Sequence, residues 1–123
     1  MSEHDEQATV IAWASLLAGR HPALDMLFAV PNGARLSKGG YGWRKLEKEG
    51  ARKGVPDMLL MVPRKGYHGL AIELKHKTNK PTPEQAWWLD HLTEQGYLAV
   101  ACWESAEAIE VISEYLEIEN DRF

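Results

Sequence analysis

Gly54-Val55-Pro56-Asp57-Met58-Leu59-Leu60-Met61-Val62-Pro63-Arg64-Lys65-Gly66, followed after three intervening residues by Leu70-Ala71-Ile72-Glu73-Leu74-Lys75, is the stretch that decides the fold of this chain. Met58 to Val62 is a continuous apolar run, Pro63 to Gly66 is a turn signal, and Leu70 to Lys75 alternates, which is the pattern of a β-hairpin. A hairpin folded about Lys65 sets Asp57 opposite Glu73. Strand alternation puts Glu73 and Lys75 on one face and Ile72 and Leu74 on the other. Asp57, Glu73 and Lys75 are therefore expected to converge at one edge of a sheet whose opposite face is apolar.

That convergence carries chemistry. Two carboxylates held together repel and raise one another's pKa unless a cation lies between them. Their hard oxygen donors favour Mg²⁺ or Mn²⁺, and such an ion polarises a phosphoryl oxygen and acidifies bound water. Lys75 is placed to orient or deprotonate an attacking water and to balance charge in a transition state. An exposed ion pair on a strand would account for Glu-x-Lys by itself. The hairpin with Gly54-Val55-Pro56-Asp57 on one arm and Ile72-Glu73-Leu74-Lys75 on the other is a much more specific signal.

Outward from the hairpin, Val10, Trp13, Ala14 and Leu17 form a helical stripe over residues 3–18, with Ser2 as N-cap and Gly19 as terminator. Leu27 to Val30 reads as a short strand stopped by Pro31-Asn32-Gly33. Ser37 to Gly42 reads as a glycine-rich loop, and residues 43–49 as a short charged helix. Thr82-Pro83-Glu84-Gln85 is a capping box with proline at the first helical position. It opens a helix expected to turn Ala86, Leu89 and Leu92 inward and to close at Gly96. Tyr97 to Trp103 reads as a buried strand, and Ala108, Ile109, Ile112 and Leu116 mark a last helix. This order predicts one α/β domain over residues 1–123, with a mixed sheet flanked by helices in two or three layers.

Composition agrees with a single soluble domain. The chain has 123 residues, 45% hydrophobic and 26% charged, enough for one core but not two. No apolar stretch approaches the ~18–20 residues of a membrane helix, and the acidic N-terminus does not read as a secretory signal. Cys102 is the only cysteine, which excludes an internal disulfide and any multi-cysteine zinc site. A cytoplasmic setting follows. The net charge of −4 hides an uneven distribution. Arg35 to Lys80 holds twelve Lys/Arg against four acids, whereas the rest holds two against fourteen. A basic centre with acidic flanks suits a polyanion, although a solvated Lys/Arg-rich loop would produce the same count.

Gly-Val-Pro-Asp followed by Ile-Glu-Leu-Lys resembles the PD-(D/E)xK nuclease superfamily. More closely, the chain is similar to the virus-type replication-repair nuclease (VRR-NUC) domain of phages, bacteria and a eukaryotic crosslink-repair nuclease. The likeness covers Glu3 to Gln7, Pro31-Asn32-Gly33, Gly50 to Asp57, Ile72 to Lys75, Thr82 to Gln85, Gly96-Tyr97 and the final helix near Tyr115-Leu116. It implies a restriction-endonuclease-like core, metal binding by Asp57 and Glu73, and a catalytic role for Lys75. It further implies the Leu74 carbonyl and Glu3 as metal ligands, with Glu6 as the competitor for the position of Glu3. Gln85 matches a position near the site and is also N3 of its capping box. Asn32, Gly33 and Arg35 match a motif beside the active site, and Arg44, Lys45, Arg52 and Lys53 are candidate phosphate contacts. The implied activity is Mg²⁺- or Mn²⁺-dependent hydrolysis of phosphodiesters in DNA. The expected enzyme is a homodimeric endonuclease acting on branched DNA such as Holliday junctions, in repair in a bacterial or phage-infected cell.

Other residues favour structural readings. Of Trp87 and Trp88, adjacent on one helix, one is expected in the core and the other partly exposed, with base stacking the lesser alternative. The five histidines show no zinc spacing, and only His76 falls near the motif. Cys102 reads as core. Rival functions are a nuclease for flaps, single strands or restriction-like sites, and a DNA-binding module without catalysis. Pure phosphate binding is disfavoured by Asp57 and Glu73 themselves.

Overall fold

A computed structural model describes residues 2–31 and 41–119. Helix α1 (Glu3–Leu17) is followed by a short 3₁₀ turn (Pro22–Met26), strand β1 (Leu27–Ala29) and helix α2 (Tyr41–Lys48). The hairpin strands β2 (Met58–Leu60) and β3 (Leu70–Lys75) come next, then α3 (Pro83–Glu94), β4 (Leu98–Trp103) and α4 (Glu104–Leu116). Both predicted caps form as complete capping boxes, Ser2 with Asp5 on α1 and Thr82 with Gln85 on α3. Each satisfies backbone N–H groups that a helix start leaves without intrahelical partners.

The sheet is mixed, in the order β1-β2-β3-β4. β1, β2 and β3 are antiparallel neighbours, and β4 joins β3 in parallel after the α3 crossover. Met58 faces Ile72, Leu59 faces Ala71 and Leu60 faces Leu70, the register expected of a hairpin folded about Lys65. Lys65 and Gly66 both have positive φ, 54° and 86°, which is the backbone of a type I′ turn matched to strand twist. Tyr115 on α4 ties the hairpin down by donating its hydroxyl to the Val62 carbonyl at 2.7 Å.

One sheet face carries the core. Met58, Leu60, Leu70, Ile72, Leu74 and Cys102 pack with Val10, Trp13 and Ala14 of α1 and with Ala108, Ile112 and Tyr115 of α4. Full burial of each aliphatic side chain contributes about 1.5–3 kcal/mol. All six β3 residues are buried, so the central strand is rigidly held, and β3 is the strand that carries Glu73 and Lys75.

Two expectations need correction. β4 is an edge strand, and of its residues only Cys102 is fully buried, with Trp103 exposed. α3 buries none of its residues completely, and Ala86, Leu89 and Leu92 are only half-buried. The cause is shared: among the described residues α3 is the one helix crossing the outer sheet face, and one helix covers less surface than the α1–α4 pair does on the inner face. Gly42, expected in a loop, lies inside α2. Asn32, Gly33, Arg35 and the stretch 37–40 fall outside the described residues. Among the described residues no helix is long and apolar enough to cross a membrane.

Candidate active site

Asp57 stands immediately before β2, where the backbone bond from Val30 N–H to the Asp57 carbonyl (2.8 Å) anchors it to the end of β1. Its side chain crosses to β3 and accepts the Leu74 backbone N–H at 2.7 Å. The segment before it is shaped by Gly54, whose φ is +87°. A Cβ at this position would lie 2.6 Å from the Glu84 carbonyl carbon. Only glycine allows both that backbone and that approach. Gly54 therefore sets the first turn of α3 against the arm bearing Asp57, and Pro56 is fully buried behind it.

Glu73 is 1% exposed, and its Oε1 has no hydrogen-bond partner. Burial first, and then the neighbouring charge of Asp57, push its carboxyl up to about 9. Asp57 is also raised, chiefly by burial, against the lowering effect of the Leu74 N–H. Without a cation, the pair resolves its repulsion by holding one proton between the two carboxyls.

Lys75 is 6% exposed. Its ammonium donates to Gln85 Oε1 at 3.1 Å and lies 4.0 Å from Glu3 Oε2. The same Gln85 oxygen accepts the Thr82 N–H at 2.9 Å, so the capping box that starts α3 also holds the lysine. The sequence left two uses open for Gln85, and the geometry contains both contacts.

Glu3 and Glu6 part company. Glu6 is 6% exposed and accepts the Ser105 backbone N–H at 2.8 Å, which holds its carboxyl below the usual range. It caps the first turn of α4, where Trp103 at the N-cap supplies no side-chain bond. Glu3 faces Lys75 instead. Its Oε2 also accepts from Asn79 Nδ2 at 3.4 Å, and the Asn79 carbonyl accepts the Trp103 indole N–H at 2.9 Å. Sequence reasoning missed Asn79. The only signal was its place in the polar turn Lys77-Thr78-Asn79-Lys80, which says nothing about a contact with the N-terminus.

The fold thus brings together Asp57, Glu73, Lys75, Gln85, Glu3 and the backbone of Leu74. Arg44 and Lys45 are exposed on α2, and Arg52 and Lys53 are exposed on the segment leading to Gly54. Among the described residues no cluster of three or more His, Cys, Asp or Glu side chains is placed to hold a metal ion. Asp57 and Glu73 are two oxygen donors, one with an unpartnered buried oxygen. That set fits Mg²⁺, which keeps several waters and needs only one or two carboxylates.

A mixed α/β sheet with Glu73 and Lys75 on β3 and Asp57 just before β2 has the architecture and residue set expected of a nuclease-type domain. The VRR-NUC domain family model matches residues 2–105. The chain belongs to the VRR-NUC family. A solved structure of a VRR_NUC domain protein superposes with a TM-score of 0.77 at 27% identity, covering 97% of this chain and 91% of that one. No curated protein matches the chain.

Proposed function

We propose that this VRR-NUC domain is a Mg²⁺- or Mn²⁺-dependent DNA endonuclease that hydrolyses phosphodiester bonds and prefers branched DNA. The observation that carries the reading is the Asp57–Glu73 pair, a half-buried carboxylate beside a fully buried one whose Oε1 is left unpartnered. A purely structural pair would cost folding energy without return. Asp57 and Glu73 would hold the ion, with the Leu74 carbonyl and Glu3 completing the set. When bound, it supplies Lewis acidity and a more acidic water. Lys75, steadied by Gln85, orients the nucleophile and balances charge on the phosphoryl oxygens. Arg44, Lys45, Arg52 and Lys53 supply phosphate contacts, and Asn32 and Arg35 are DNA-binding candidates by their match to the family motif.

A homodimer suits this substrate, because a four-way junction needs paired cuts and a two-fold axis provides them. Exposed Phe28 on β1 and Met61 just past β2 offer apolar surface for such a contact. The test is cleavage of linear, flapped and four-way DNA with each ion, alongside light scattering. Asp57→Ala, Glu73→Ala and Lys75→Ala should each abolish cutting with the fold intact. Wild-type rates from Asp57→Ala, or cutting in excess EDTA, would overturn the assignment. A monomeric mass would remove the dimer.

A further inference from the structure

Beside the acid pair lies a second feature, whose aromatic wall the hydrolytic chemistry does not use. A cleft of about 340 Å³ is lined by Arg52, Lys53, Pro83, Glu84, Trp87 and Trp88. The Trp88 indole donates to the Lys53 carbonyl at 3.1 Å and so pins the Arg52–Gly54 segment to α3. The Arg52 guanidinium lies 5.2 Å from the Trp88 ring centre and 5.6 Å from that of Trp87. Trp87 stands edge-on to Trp88 and stacks on His91 at 4.0 Å and 22°. The result is a layer of π systems and a guanidinium at the mouth of a cleft.

Packing explains Trp88 but not Trp87. Trp88 is half-buried with its N–H satisfied, whereas Trp87 is 44% exposed. Arg52 and Lys53 form no ion pair among the described residues. Among the described residues that line the cleft, Glu84 is the one acid. Two cations without a carboxylate partner among the described residues, next to an exposed indole, suit a ligand that joins an aromatic ring to a phosphate. That ligand is a nucleotide: the base meets the tryptophan–arginine layer and the phosphate meets Arg52 and Lys53.

We propose that this cleft is a subsite for an unpaired nucleotide of the DNA substrate, close to the scissile phosphate, with Trp87 as its stacking residue. The proposal rests on the nuclease reading above and narrows its substrate to DNA with a single-stranded nucleotide near the cut. Proximity follows from the chain. Asp57 lies four positions after Lys53, at most about 14 Å of extended backbone, and Gln85, on the adjacent turn of α3, touches Lys75. A base inside a duplex is covered on both faces by its neighbours, so only a flap, an opened branch or a single-stranded end offers one for stacking. The cleft volume fits a small ligand rather than a duplex.

The test is binding by metal-free protein, read by fluorescence anisotropy at fixed salt, to a duplex with a short single-stranded flap and to a fully paired duplex. Wild type should prefer the flap. Trp87→Ala should lose about five- to a hundredfold in flap affinity, hold duplex affinity within about twofold, and melt like wild type. Trp87→Phe should recover most of the loss. Removing the flap bases, leaving abasic sugar-phosphate, should cost wild type the same factor and cost Trp87→Ala nothing further. Equal affinity of wild type for flap and duplex, or equal losses on both with Trp87→Ala, would overturn the subsite. Cutting plays no part in the readout, so a failed cleavage assay would strike the nuclease reading and leave this result to stand by itself.

Discussion

Replacing Glu73 by glutamine in the metal-free protein tests the electrostatics of the site without relying on catalysis. Burial and Asp57 raise the Glu73 carboxyl from 4.5 to about 9 in the folded chain. Between those values the folded protein keeps a proton that the unfolded chain releases. Stability from this group is therefore complete below about pH 4.5 and drains away as pH rises through the folded value. One proton corresponds to about 1.4 kcal/mol per pH unit, or on the order of 4 kcal/mol between pH 5.5 and 8.5. Asp57, also raised, acts in the same direction. Against a typical domain stability of about 5–15 kcal/mol this is large, and it amounts to roughly 5 °C of melting temperature per pH unit. Glutamine keeps the shape and removes the titration. Urea unfolding in EDTA across that range should show wild type falling relative to Glu73→Gln, with the two close at the acid end. Saturating Mg²⁺ or Mn²⁺ should flatten the wild-type slope, because an ion replaces the proton. Parallel pH profiles in EDTA would refute the shared-proton account.

Gly54→Ala should destabilise by about 1–3 kcal/mol from its backbone angle alone, and more from the overlap with Glu84. Displacement of α3 should also loosen Gln85 from Lys75, read as lost cleavage in protein that is still folded. Glu6→Ala should cost about 1 kcal/mol, as loss of a helix cap does, in chemical denaturation and leave cation affinity unchanged. Glu3→Ala should do the reverse, with cleavage or cation affinity weakened at near-normal stability. A swap of those two outcomes would make Glu6 the site residue.

The hairpin, its register, the Ser2 cap, the Thr82–Gln85 capping box and the convergence of Asp57, Glu73 and Lys75 were legible from the chain alone. These are local matters: a two-residue alternation and a turn determine which residues face one another, whatever lies beyond them. The choice between Glu3 and Glu6 was not legible. Both sit in the first turn of α1, and what separates them is that Ser105 meets one and Lys75 the other, across 99 and 72 residues of chain. Asn79 was hidden for the same reason. The partial exposure of α3 and β4 depended on how many helices cover each sheet face, which periodicity within one element cannot report. The pairing of Trp87 with Arg52, and the cleft they line, exists only because Gly54 lets α3 approach the segment before Asp57. Local pattern determined the strand that carries the acids. Long-range packing decided which other side chains reach them, since those contacts form between segments whose sequences do not constrain each other.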